Sequence, residues 1–122
     1  MIFDIAAPII PGREAAGIRL GSPLHGDLAH EAVRLFGSSG LVKQIAVRAG
    51  YLGHIAGTPL GIGSTIREIE HIMGPVVEDE KDNLVVQGSD GWCFETERWT
   101  GQDIKANAGA RVVSICVFVE SA

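Results

Sequence analysis

The stretch that most constrains this chain runs from Gly61 to Gly74, Gly-Ile-Gly-Ser-Thr-Ile-Arg-Glu-Ile-Glu-His-Ile-Met-Gly, and is followed by Pro75. Its apolar residues Ile66, Ile69, Ile72 and Met73 fall at i, i+3, i+6 and i+7, one face of a helix. Thr65 and Glu68 make a T-x-x-E capping box, in which each side chain satisfies a backbone N–H at the helix start. Gly74 can take positive φ at the C-terminus, and Pro75 stops the helix from continuing. A helix of about two and a half turns is marginal alone. Its isoleucine stripe must therefore bury against strands on either side.

At 122 residues the chain is expected to form one domain, residues 1–122, with a single core. Apolar residues at 46% and charged residues at 20% place it with globular rather than disordered chains. No apolar run reaches the ~18–20 residues of a membrane-spanning helix. The opening Met-Ile-Phe-Asp-Ile lacks the basic flank of a secretory signal. Cys93 and Cys116, the only cysteines, are therefore expected reduced and buried rather than bridged, in a cytoplasmic protein.

Taken in order, residues 15–20 read as a strand. Ser22-Pro23 reads as an N-cap with proline at the first helical position. Leu24, Leu28, Ala32, Leu35 and Phe36 then trace a second helical stripe that stops at Gly37. Residues 38–40 are a loop, 41–49 a strand and 51–58 the next strand before the helix already described. Val76-Val77 enters a turn at residues 79–83, residues 84–87 return, 88–91 turn again, and 92–96 form a further strand. Residues 97–110 read as a polar, glycine- and alanine-rich loop carrying Trp99, and 111–120 as a β-branched closing strand. The expectation is an α+β fold: an antiparallel sheet with two short helices packed on one face. Gly-Ser opens and Phe/Met-Gly closes each helix, and a V-x-x-I-x-V strand follows each. This suggests two helix-plus-strands repeats, about 15–58 and 59–120.

The net charge of −5 is unevenly spread. Residues 78–97 carry seven acids, Glu78, Asp79, Glu80, Asp82, Asp90, Glu95 and Glu97, against Lys81 alone. A segment at −6 repels phosphates, so nucleic acid is not an expected partner, whereas a basic protein is. A solvated turn with outward-facing strand positions would account for the same charges, and taken alone is the simpler reading. Trp92 beside these acids suits core and interface equally, and Trp99 in its polar loop suits an interface. Tyr51 and Phe94 are further aromatic residues of the type that anchors interfaces. The expected partner-binding set is Asp79, Glu80, Asp82, Asp90, Trp92, Glu95, Glu97 and Trp99.

Signals for catalysis are weak. His25, His30, His54 and His71 show no H-x-x-x-H or H-E-x-x-H spacing, so no metal is expected. Residues 57–63 are glycine-rich but match neither G-x-G-x-x-G nor a Walker loop, so no cofactor is expected. Acidic pairs such as Asp79 and Glu80 sit in a turn rather than across a cleft, a poor start for acid–base work. The chain does not read as an enzyme.

The succession G-I-G-S-T-x-x-E-I, M-G-P, an acidic turn, G-W-C-F-E and V-x-S-I-x-V resembles proteins of the β-lactamase-inhibitor-protein-like fold. That group includes small lipoprotein subunits of the outer-membrane assembly machinery. The chain lacks their signal peptide and lipobox cysteine. It is also similar to small cytoplasmic immunity proteins that neutralise a bacterial toxin. The resemblance implies a protein that binds and blocks a basic toxin, expected to be a nuclease, by protein–protein contact. The alternative it implies is a non-catalytic structural or assembly module acting through its sheet face.

Overall fold

Two tight turns, rather than helix periodicity, decide how the first half of the chain folds. In the computed structural model, which describes residues 3–24, 30–97 and 103–119, Ala16, Gly17, Ser39 and Gly40 have φ of 55°, 75°, 55° and 75°. Positive φ at both central residues is the two-residue hairpin turn whose twist matches that of the flanking strands. Ala16-Gly17 joins β1 (Glu14–Ala15) to β2 (Ile18–Arg19). Ser39-Gly40 joins β3 (Val33–Ser38) to β4 (Leu41–Arg48), with Val33 opposite Val47 and Leu35 opposite Ile45. A bulge at Phe36/Gly37 shifts the register, and a Cβ on Gly37 would lie 2.2 Å from the Leu41 carbonyl oxygen. Only glycine fits there.

The expected helix over residues 24–36 is therefore overturned at its C-terminal end; residues 25–29 lie outside the described ones. Along β3 Val33 is buried, Arg34 exposed, Leu35 half-buried and Phe36 exposed, close to the period of two that a pleated strand imposes. Of the described residues in that stripe, Leu24 and Ala32 lie outside regular elements and Leu35 and Phe36 lie in β3. The fold is a β-rich antiparallel sheet, and the one helix among the described residues is α1 (Ile66–Met73). Without the first helix, the two halves do not repeat a helix-plus-strands unit.

β5 (Val76–Glu78), β6 (Leu84–Val86), β7 (Trp92–Thr96) and β8 (Val112–Phe118) follow α1. The main sheet has six strands in the order β3-β4-β8-β7-β6-β5, all neighbours antiparallel. Residues 51–58, expected to be a strand, join only through isolated bridges, His54 with Gly61 and Ile55 with Ile9. The amides of Leu52 and Gly53 both donate to the Ile5 carbonyl, at 2.7 and 3.1 Å. A Cβ on Gly53 would come within 2.0 Å of the Ala7 oxygen. This segment crosses against the N-terminal chain instead of entering the ladder.

One face of the sheet forms the core. Val33, Ile45, Val47, Phe94, Ile115 and Val117 are buried there under Ile9, Ile18, Tyr51, Leu60 and the helix residues Ile66 and Ile69. Trp92 is 1% exposed, stacks on Phe94 at 5.6 Å, and gives its indole N–H to Ser89 Oγ at 2.8 Å.

α1 is held at its N-terminus as the capping box requires. Glu68 N–H donates to Thr65 Oγ1 at 3.2 Å and Thr65 N–H to Glu68 Oε1 at 2.9 Å. The next orphan amides, Ile66 and Arg67, donate to Ala110 O and Ala108 O at 3.2 and 2.9 Å. Part of what read as an open polar loop thus closes the helix start. At the other end Gly74 takes φ 116° and its N–H reaches Glu70 O at 3.1 Å. The stripe is narrower than its spacing implied: Ile66 and Ile69 are buried, Met73 is half-buried and Ile72 is 45% exposed.

Tyr51, an expected interface candidate, is 5% exposed and acts as an internal clamp. Its hydroxyl accepts from Ala16 N–H at 2.8 Å and donates to Ala7 O at 2.6 Å. Desolvation pushes its pKa up, which keeps the hydroxyl protonated as a donor.

Two substitutions test this arrangement by chemical denaturation. Ile69→Ala is expected to cost ~2–5 kcal/mol, the range for truncating a buried isoleucine, and Ile72→Ala to stay within about 0.5 kcal/mol. Tyr51→Phe leaves the buried Ala16 N–H and the part-buried Ala7 carbonyl without the hydroxyl and is expected to cost ~1–3 kcal/mol.

Candidate functional site

The acids singled out by the sequence divide into three groups. Asp79 opens the β5–β6 turn, and its Oδ1 accepts the amides of Lys81 and Asn83, both at 2.9 Å. These bonds close an Asx-type turn. The Asn83 amide, aided by Lys81, holds the Asp79 carboxyl below the usual carboxylate range. Asp79 is thus bound up in the fold. Glu80 and Asp82 ride on the turn it closes and are exposed, Asp82 with φ 63°. Glu95 is exposed near the end of β7 and Glu97 one residue beyond it.

Because Leu84 pairs with Phe94, the β5–β6 turn and the end of β7 meet at one end of the sheet. Asp82, Asn83, Leu84, Phe94, Glu95 and Thr96 line a depression of about 240 Å³ there. Asp90, in the turn at the opposite end of β6, is not among these lining residues, but it lines a second depression of about 480 Å³ with Asp79, Glu80 and Lys81. Trp92 belongs to the core, and Trp99 lies outside the described residues.

The sheet also has an open face, which the sequence reading did not assemble. Its rows follow from the register. One row runs Arg34, Ala46, Cys116, Cys93, and the next runs Arg48, Ser114, Glu95. A third carries Phe36, Gln44 and Phe118. Together they line an open trough of about 590 Å³. Its charges are uneven, with Arg34 and Arg48 on the β3–β4 flank and Glu95 together with Lys81 on the other. Phe36 and Val113 are apolar and 45% and 39% exposed. Strand alternation alone could have found this face, had residues 33–38 been read as a strand and paired across the Ser39-Gly40 turn.

No family model matches this chain, and no curated protein matches it. Among solved structures it is similar to the uncharacterized protein yfeY from Escherichia coli. The TM-score is 0.53 at 15% identity, over 96% of this chain and 95% of that one. At that identity the likeness concerns the fold alone. Among the described residues no three His, Cys, Asp or Glu side chains converge as a metal site, and no helix is long and apolar enough to cross a membrane.

The turn carries a pH signature. A carboxyl whose folded pKa is depressed adds stability that is present above its unfolded pKa, ~3.9 for Asp, and lost as pH falls through the folded value. Glu68, depressed by the Thr65 amide, has the same sign. Asp79→Asn retains an acceptor but cannot titrate. Its stability is expected to fall less steeply than the wild type's below about pH 4 in acid-unfolding curves. Parallel curves would remove Asp79 from the linkage.

Proposed function

We propose that this chain is a non-catalytic binding protein that engages a basic protein partner through the acidic end of its sheet. In its specific form it is an immunity protein that neutralises a toxin, a basic nuclease, in the cytoplasm. The observation that carries this reading is the meeting of Asp82 and Glu95 at one depression at the sheet end, with Glu80 exposed on the same β5–β6 turn and Glu97 exposed one residue past β7. Held on a turn that Asp79 has already closed, Glu80 and Asp82 would lose little further backbone entropy on binding. Grouped like charges also steer a cationic partner and raise its on-rate. A nuclease toxin suits this chemistry, since the surface it turns to nucleic acid is cationic.

A second reading is an assembly module that docks through the open sheet face. It is favoured by the partly exposed apolar residues Phe36, Val113 and Phe118 on that face. Salt separates the two.

The test is association kinetics against the partner recovered by affinity capture, at 0.1 M and 1 M salt. Over that range the Debye length falls from ~10 to ~3 Å. Docking at the acidic end predicts a falling on-rate, and a Glu80→Lys/Asp82→Lys double variant that associates about tenfold more slowly with its fold intact. Salt-independent association with an unchanged double variant would overturn the reading. Loss of binding on Phe36→Ser would then favour the open face.

A further inference from the structure

The sequence leaves Cys93 and Cys116 as unrelated thiols on separate strands, but the register sets them opposite each other in β7 and β8. Both are free and half-buried, and both line the open trough rather than the core. The Phe118 amide donates to Gly91 O at 3.0 Å. Stepping two residues along each strand puts Cys93 and Cys116 in the same hydrogen-bonded type of pair. The register shift in β7 lies beyond them, at Glu95/Thr96. Such pairs have Cα atoms ~5.5 Å apart, within the ~4.4–6.8 Å that a disulfide spans. Side chains of directly opposed residues project from the same face, and in such a pair the Cβ atoms, ~5.5 Å apart, must draw in by about 1 Å for a bond to close, which leaves it strained and easily reduced.

We propose that Cys93 and Cys116 form a reversible disulfide across β7 and β8, made and broken by exchange with low-molecular-weight disulfides and thiols that enter the trough. The Cys116 S–H also reaches the Val117 carbonyl oxygen, at 4.0 Å, and beside Cys93 its pKa moves down while that of Cys93 moves up. Exchange can begin at either sulfur, and Cys116 is taken first. Its thiolate breaks the S–S bond of the small disulfide, forming a mixed disulfide and releasing one small thiolate. Cys93 then gives up its proton and attacks the Cys116 sulfur, which forms the cross-strand bond and expels the second small thiolate. The protein loses two electrons and two protons, and the small disulfide becomes two thiols. Partial exposure on an open face gives the labile class of disulfide, whereas one sealed in a core resists reduction. The bond would tie together the two strands whose outward residues form the floor of the trough, whichever partner the protein binds.

The test equilibrates the folded wild-type chain in buffers of varied oxidised-to-reduced glutathione ratio, quenches with an alkylating reagent and weighs the intact protein. The expected result is a monomer that loses both labels together as the ratio rises, with a peptide map joining residues 93 and 116, and that regains both labels on return to reduced glutathione. Cys93→Ser is expected to accumulate glutathione on Cys116. Cys116→Ser is expected to accumulate it on Cys93. Two labels at every ratio on the folded chain, a disulfide between two copies, or a bond that forms only in denaturant would each overturn the proposal. The wild-type titration decides it even if a serine variant fails to fold.

Discussion

The rest of the structure depends on the insertion of β8 between β4 and β7. The last strand in the chain occupies the middle of the sheet, and its inward residues complete two rows. Ile115 sits between Val47 and Phe94, and Val117 between Ile45 and Trp92. The β3–β4 hairpin and the β5–β6–β7 meander each form from neighbours in sequence, yet neither pairs directly with the other. Among the described residues β8 is their only hydrogen-bonded link within the sheet. Its first residue also fixes the approach to the helix, because Val112 N–H donates to Ser64 O at 2.8 Å and Gly63 N–H to Val112 O at 2.9 Å. Arg111 adds a bond from its guanidinium to Gly63 O at 2.8 Å. Contacts this distant in sequence must close long loops before they gain any burial, so the sheet is expected to form late and cooperatively.

The same strand explains why the molecule has two usable surfaces. The pleat that turns Ile115 and Val117 inward turns Ser114, Cys116 and Phe118 outward. Hydrogen bonding to β4 then aligns Ser114 with Arg48 and Cys116 with Ala46. Bonding to β7 aligns the same two residues with Glu95 and Cys93. The trough, its charge asymmetry and its thiol pair are thus consequences of a register chosen by the hydrophobic face. A one-residue slip would bury the thiols and expose the isoleucine and valine, which is why the register is strongly specified.

What could be read from sequence was local chemistry. The capping box, the helix start at Thr65 and the acidic turn are interactions across two to four residues, and the structure contains each. The reading over residues 24–36 went wrong because Ser22-Pro23 and the Leu24-to-Phe36 spacing are equally local, and nothing local opposed them. The competing signal was Gly37, taken as the helix stop, with the loop 38–40; together they are a bulge followed by a two-residue hairpin turn. Taken as a turn, it makes the residues before it a strand paired with 41–48. Tyr51 and the Cys93–Cys116 pair were beyond local reading for another reason. Tyr51 reaches residues 35 and 44 positions away, and the cysteines meet only once a register is known.

The acidic segment makes the general point about charge. Counted along the chain it carries −6, but the fold withdraws part of that from any partner. Asp79 is committed to its turn, and Glu78, on the inward side of β5, buries an Oε1 that has no hydrogen-bond partner among the described residues. Asp90 lies at the other end of β6, across a depression that it lines with Asp79, Glu80 and Lys81. What remains at one end is Glu80, Asp82, Glu95 and Glu97, with Lys81 among them. Exposed ion pairs are worth little singly, so four loosely held acids would add modest affinity. Their effect lies in direction. A turn stiffened by Asp79 presents them on one side of the sheet, so the field they sum to acts on the approach of a cation before contact is made. Affinity would then have to come from apolar surface nearby, and the exposed Phe36 and Val113 of the trough are where the fold leaves it.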